Sequence, residues 1–408
     1  MSIGRAASAP SAGSRPGAAP AHRHRAPVIA GLGVTELGRV YGLTAAGFAA
    51  DAVRRAVADA GLLLSDLDGL LTSAGVSRGV GLSLQRDLGL ANLRLASELN
   101  AYGSTAGAMV QVASMAVQSG MADVVACVFA DAPLRQDRGA GAAYGGARAP
   151  AGWTGLVTAS GIRGANPLYA LAARRHMLRY GTTSEQFGAI AVAQRSWAAL
   201  NPRAQLREQI TMGDYLASRW IAEPFRLLDC CLVSNGGIAV IVTTAERAAS
   251  LAQPPVHVLG WGQGHPGRAF RRSDDFGLIT GASVSGPAAL AMAGISVADI
   301  DVVELYDCYT FTVLVTLEDY GFCAKGDGGP FVASGVLGPS GKLKLNTGGG
   351  QLSSYYLWGM TPLSEAVIQA RGQGGDRQVR AHDLVLVSGN GGVLDHHCTL
   401  VLSPHPRS

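Results

Sequence analysis

The sequence predicts an α/β protein built from two similar halves, and three observations carry that expectation. Apolar runs of strand length alternate with longer segments at helical spacing, which implies mixed, mostly parallel sheets covered by helices. Three short matches recur in the same order in each half: Asp66–Leu71 with Asp299–Glu304, Leu93–Leu95 ahead of Asn100 with Leu343–Leu345 ahead of Asn346, and Val124–Phe129 with Leu384–Gly389. The 408 residues are 48% hydrophobic and only 15% charged, with a mean hydropathy of +0.20, so the chain can bury a large core.

Taken in order, residues 1–26 are Ala/Pro/Ser/Gly-rich and read as a disordered tail. Pro27–Gly33 is a short apolar strand, and Thr44–Ala60 is a helix ending at the C-cap Gly61. Asp66–Thr72 and Leu93–Leu99 are strands. The second leads into a glycine-serine turn, Asn100 to Gly107, that opens a helix apolar nearly all round and therefore buried. Asp123–Ala130 is a strand. Residues 135–166 form a loop or small cap within a cap region of about 135–225, which also holds helices from Asn166 to Tyr180 and from the capping box Thr183–Gln186 to Leu200. Leu232–Thr244 closes the first half, 27–250. The second half, 251–408, opens with the strand Val256–Trp261.

Charge narrows the function. The net charge of +4 comes from Arg5, Arg15, Arg23 and Arg25, and without the tail 29 basic residues face 29 acidic ones. A near-neutral body argues against a nucleic-acid binder. No window approaches 18 uninterrupted apolar residues, so no membrane span is expected. Three prolines spoil the tail as an amphipathic transit peptide. Six cysteines without C-x-x-C or zinc spacing read as free thiols in a reducing, cytoplasmic compartment.

Two stretches hold the chemistry. Asp301–Tyr309 reads as a strand ending in polar and aromatic residues that turn into a helix. Asn346–Thr361 reads as a glycine-rich turn opening another. Strand ends and glycine turns are where α/β proteins place reacting groups.

These residues, with Phe225–Gly237, Gly321–Gly329 and the turn at Gly348, resemble the thiolase superfamily, in its sterol-carrier-protein-x or lipid-transfer-protein branch. The resemblance spans roughly residues 27–403. It implies the five-layered thiolase fold, a homodimer and an acyl-CoA thioester substrate. The departures are as informative. Gly103 stands where that family carries its nucleophilic cysteine, Tyr306 and Tyr356 stand at its two histidine places, and Ser388 stands at its second cysteine. Such a pattern is similar to steroid side-chain-cleaving aldolases. These act on a β-hydroxyacyl-CoA without covalent catalysis and work with a small OB-fold acyl-CoA-binding partner.

Retro-aldol cleavage needs a base for the β-hydroxyl proton, stabilisation of a thioester enolate, and an acid to protonate it. Tyr306 and Tyr356 are the expected acid/base pair. A phenol of ordinary pKa near 10 needs either a lowered pKa or tight hydrogen-bond coupling for this work. Gly103, Ser104, Gly349, Gly350, Gly391 and Gly392 are the expected substrate-binding positions, with the amides of the last four as oxyanion donors. No cofactor or metal is expected beyond the CoA of the substrate. The competing expectations are a non-catalytic acyl-CoA- or lipid-binding subunit, and an acyltransferase using Cys308 or Ser104. His396 and His397 are expected to be structural.

Overall fold

Two five-stranded half-sheets meet along one antiparallel seam. The computed structural model describes residues 25–143, 155–267 and 276–406. Nearly all of the tail, and part of the cap at 144–154, lie outside the described residues. In the first half the strands are β1 (Pro27–Val34), β2 (Gly69–Ala74), β3 (Leu95–Glu98), β4 (Val124–Asp131) and β7 (Gly236–Thr244); a small hairpin, β5 (Trp220–Ala222) with β6 (Phe225–Arg226), lies in the cap region. In the second they are β8 (Val256–Gly264), β9 (Val302–Glu304), β10 (Lys344–Leu345), β11 (Val385–Gly391) and β12 (His396–Ser403). The order across the sheet is β10-β9-β11-β12-β8-β1-β7-β4-β2-β3. Read outward from the seam, each half repeats the other, so the sequence matches pair β2 with β9, β3 with β10 and β4 with β11. The seam is thin: Val28 faces His257 and Ile29 faces Val256.

The longer helices among the described residues are α1 (Ala45–Ala60), α2 (Thr105–Ser119), α3 (Ala165–Tyr180), α4 (Ser184–Ala199), α5 (Ala282–Ala293), α6 (Thr310–Tyr320) and α7 (Met360–Ala370), with α3 and α4 in the cap region. Alternation along a strand sends successive side chains to opposite faces. In β4, Val125, Cys127 and Phe129 join a central core with Met109 and Val110 of α2 and Leu363 and Val367 of α7. Val124, Ala126 and Val128 face a separate core under α1. In β11, Val385 and Val387 point to the same central core, and Leu386 points to the core under α5 and α6. Helix, half-sheet, helix pair, half-sheet and helix are the five layers expected. Strands buried on both faces read as unbroken apolar runs, as these do.

Close packing of the outer helices rests on a repeated glycine pair that the sequence reading did not single out. A Cβ on Gly31 or Gly33 of β1 would collide with carbonyl oxygens of α1, at Ala56 and Ala52. The same holds for Gly260 and Gly262 of β8 against Ala289 and Ser285 of α5.

Two of the boundaries that differ from expectation bear on the site. The strand expected from Leu232 starts only at Gly236, because Leu232 and Asn235 bond elsewhere, to Gln351 O and Gly38 O. The glycine turn at Gly348 does not open a helix directly. A wide turn, Gly350–Ser354, intervenes, and α7 begins at Met360.

Candidate active site

Asn346 and Asp307 bring the two chemical stretches together. The Asn346 backbone N–H donates to Val303 O at 2.9 Å, and the side-chain Oδ1 accepts the Leu305 N–H at 2.7 Å, fixing the exit of β9 beside β10. The Asp307 carboxylate then accepts the N–H groups of Gln351 at 2.9 Å and Leu352 at 3.2 Å, stapling the wide turn to the residue after Tyr306. Gly350 has φ +59, and a Cβ there would strike Asp307 Oδ2, so this glycine is required by the staple. Burial pushes Asp307 up to about 7, against the lowering effect of those N–H groups. Behind the turn Thr347 Oγ1 bridges the buried carboxyls of Glu304 and Glu365, and Arg377 pairs with Glu365 at 2.8 Å.

The staple places Tyr306 and Tyr356 hydroxyl to hydroxyl, at 3.0 Å, with the rings edge-on at 67°. Tyr306 is 4% exposed and Tyr356 half-buried, its N–H held by Ser234 Oγ at 3.0 Å. Of the two conditions set out for a working phenol, the pair meets the coupling, and Tyr306 does not meet the lowered pKa. Burial, followed by Cys308, pushes Tyr306 well above its ordinary value, and the bond from Tyr356 only partly offsets this. Tyr306 is therefore a neutral phenol at physiological pH.

Gly103 lies directly against this pair. A Cβ at Gly103 would run into the Tyr306 ring and the Asn390 carbonyl oxygen. The space where a side chain at this place would begin is filled by the tyrosine. The strand β11 is equally close: Cβ atoms on Gly389 and Gly391 would meet the backbone of Ser104 and Gly103 at 2.8 Å. Gly103, Ser104, Gly391 and Tyr306 thus form one cluster, with Gly392 next along the chain. Gly349 and Gly350 stand on the far side of the staple. The Gly349 N–H closes its own turn onto Asn346 O at 2.8 Å, so it is not offered to a ligand.

The central helices open with the same device. Tyr102 (φ +52) precedes Gly103, and Trp358 (φ +49) precedes Gly359. Thr105 Oγ1 accepts the Ala101 N–H at 2.8 Å, and Thr361 Oγ1 accepts the Leu357 N–H at 3.0 Å. The repeated aromatic-Gly-x-Thr pattern was the available sequence signal for it.

The rival nucleophiles are disarmed. Burial pushes the Cys308 thiol up to about 12, and Ser104 Oγ donates to Ala101 O at 2.7 Å. His397 is fully buried between Ser388 Oγ at 2.7 Å and Tyr320 Oη at 3.1 Å, and burial holds it down at about 3. His396 is half-buried, stacked on Tyr102 and bonded to His265 Nδ1 at 3.0 Å. Among the described residues no group of three or more His, Cys, Asp or Glu side chains could hold a metal ion.

Residues 262–404 match the family model for the thiolase C-terminal domain-like region. The Ltp2-ChsH2(DUF35) aldolase superposes with a TM-score of 0.83 at 37% identity, covering 94% of this chain and 99% of that one. The Acat5 thiolase from Ascaris suum superposes at 0.66 with 14% identity, covering 93% and 99%, a likeness of fold alone. Fold and site together define the class, a thiolase fold with paired phenols at its centre. The steroid side-chain-cleaving aldolase of Thermomonospora curvata is 38% identical over 90% of this chain and 95% of its own length. The 17-hydroxy-3-oxo-4-pregnene-20-carboxyl-CoA lyase of Mycobacterium tuberculosis is 36% identical over 89% and 96%. The chain belongs to this thiolase-like family of steroid side-chain-cleaving aldolases, and it is a carbon–carbon lyase.

Proposed function

We propose that the chain cleaves a β-hydroxyacyl-CoA carrying a bulky, steroid-like side chain, giving a ketone and a short acyl-CoA such as propionyl-CoA. The observation that carries this is the Tyr306–Tyr356 hydroxyl contact at 3.0 Å beside a glycine that cannot form an acyl-enzyme. The β-hydroxyl gives up its proton, the bond between the α and β carbons breaks, and its electron pair moves onto the thioester as an enolate. The ketone leaves, and the enolate α carbon takes a proton. The net proton movement is from hydroxyl to carbon. Two phenols in hydrogen-bond contact support this without a free phenolate, since one accepts the hydroxyl proton as it passes its own to the other, and the other gives its own to the enolate α carbon. The amides of Gly391 and Gly392 are the donors proposed for the enolate oxygen.

No cofactor is needed beyond the CoA of the substrate. By analogy with the Ltp2-ChsH2(DUF35) assembly, a small OB-fold acyl-CoA-binding subunit is the proposed partner, in an assembly built on a homodimer in the cytoplasm. No described helix is long and apolar enough to cross a membrane.

The test is co-expression with a DUF35-type subunit and assay on a 17-hydroxy steroid side-chain CoA thioester. Wild type is expected to release a short acyl-CoA and the ketone. Tyr306→Phe and Tyr356→Phe are each expected to lower turnover by roughly 100-fold or more, with thioester binding retained. Binding without cleavage in wild type across bulky β-hydroxyacyl-CoAs would leave a binding subunit as the reading.

A further inference from the structure

We propose that the fold holds a binding site for a single buried water behind the two tyrosines, and that this water completes the staple that aligns them. A cavity of about 10 Å³ lies between the Asp307 staple and the carboxyl pair behind it. Glu304, Asp307, Asn346, Gly348, Gly350 and Glu365 are among the residues that line it, and all six are buried. Such room suits one water and no organic ligand. Two missing side chains help to make it. A Cβ on Gly350 would come against Asp307 Oδ2 and Asn346 Nδ2, and a Cβ on Gly348 would come within 2.8 Å of Glu365 Oε2. Gly348 does not carry a left-handed φ, so its lack of a side chain serves the room and not the backbone.

Asn346 decides what the cavity takes. It is fully buried, and among the described residues its Nδ2 has no hydrogen-bond partner. The amide cannot flip to cure this, because Oδ1 is held by the Leu305 N–H. A buried donor left unpaired costs the desolvation of that group. A donor turned into the cavity repels a cation, which takes oxygen ligands, and suits the oxygen of a water. The carboxyls of Asp307, Glu304 and Glu365 receive the two water hydrogens between them. Glu365 is itself anchored to Arg377 at 2.8 Å. One water thus ties the staple beside Tyr306 to a fixed ion pair, and Asn346 acts through it as a positioning residue for the two phenols.

The positioning role rests on the proposed reading of Tyr306 and Tyr356. The water site does not, and the test separates the two. In a crystal structure of the intact complex that shows ordered waters, one peak is expected within hydrogen-bond distance of Asn346 Nδ2 and of two of the three carboxyls. No peak, or a peak at the shorter distances of a metal ion, overturns the site. The kinetic arm uses Asn346→Asp. Aspartate keeps an oxygen for the Leu305 N–H, tolerates the φ of +49 at this position, and replaces only the donor. A protonated carboxyl donates and an ionised one does not. The groups facing it are Asp307, Glu304 and Glu365, with Arg377 behind Glu365. The kcat of Asn346→Asp, relative to wild type at the same pH, is expected to be close to wild type near pH 5.5 and to fall about 10-fold or more by about pH 8.5, with KM little changed. Gly348→Ala fills the room from the other side, and is expected to remove the peak and lower kcat by a similar factor at every pH. A ratio for Asn346→Asp that does not move with pH, or a wild-type kcat in Gly348→Ala, overturns the positioning role. A wild-type complex that cleaves nothing would sink the lyase reading and leave the crystallographic arm decisive for the site.

Discussion

Gly103 and the Tyr306 ring compete for one space, and that competition makes the residue-scale expectations. Gly103→Ala should displace the ring, part the two hydroxyls and lower stability by about 1–3 kcal/mol, the range for overpacking. Thermal unfolding and turnover would both register it. His397 gives a pH-dependent expectation. Its folded pKa, about 3, lies below the unfolded value of 6.5, with burial the larger cause and His265 the lesser. Between those values the unfolded chain binds a proton that the folded chain refuses. The neutral histidine is therefore tolerated fully above about 6.5, and stability falls as pH drops from there toward 3. Urea titrations at pH 5 and pH 7 should differ in wild type, and His397→Gln should narrow the gap. The tyrosines themselves were legible only because they fall at two recognisable motif places. Asp307, which brings them together, was not, because its partners lie more than forty residues away in a turn that composition alone marks as merely glycine-rich.

At the scale of elements, local signals read well where the bonds are local. The Thr44 cap and the left-handed Gly61 of α1, and the Thr183–Gln186 capping box of α4, stand where spacing puts them. The start of α7 was misplaced because the chain after Gly349 follows bonds to Asp307 before resuming helical ones. Asp307→Asn is expected to loosen that turn, since the amide replaces one acceptor with a donor where backbone N–H groups already point. Activity should fall while α7, anchored by its own apolar face, keeps its protection from hydrogen exchange. Gly33→Ala tests the helix-to-strand approach. Its Cβ meets the Ala52 carbonyl oxygen, so α1 must move off the sheet, and urea unfolding should report a loss of about 1–3 kcal/mol.

For the whole molecule, the decisive feature is the shared middle layer. α2 belongs to the first half and α7 to the second, yet both are buried in one core with strands of each. The direct seam between the sheets is only two residue pairs long. The halves are thus duplicated in plan but not independent in stability. Residues 27–250 expressed alone should expose the α2 face, bind a hydrophobic dye and lack a cooperative urea transition. The duplication was readable from the short repeats. The order of strands across the seam was not, because pairing between β1 and β8 depends on contacts remote in sequence and leaves no periodic trace. The paired glycines of β1 and β8 were visible in the sequence and carried the symmetry better than the apolar runs did.

The overlap between a side chain at position 103 and the ring at 306 also sets an order of events for descent. A cysteine-bearing ancestor could not have gained Tyr306 while keeping its nucleophile, since the two do not fit together. From such an ancestor the side chain at 103 would have to shrink first or change at the same step, so the old chemistry would be surrendered before the new one could assemble. The same barrier runs backward. Laboratory evolution toward an acyl-transferring descendant has to clear position 306 and move the Asn390 carbonyl as well, and restoring the cysteine alone leads into a steric dead end.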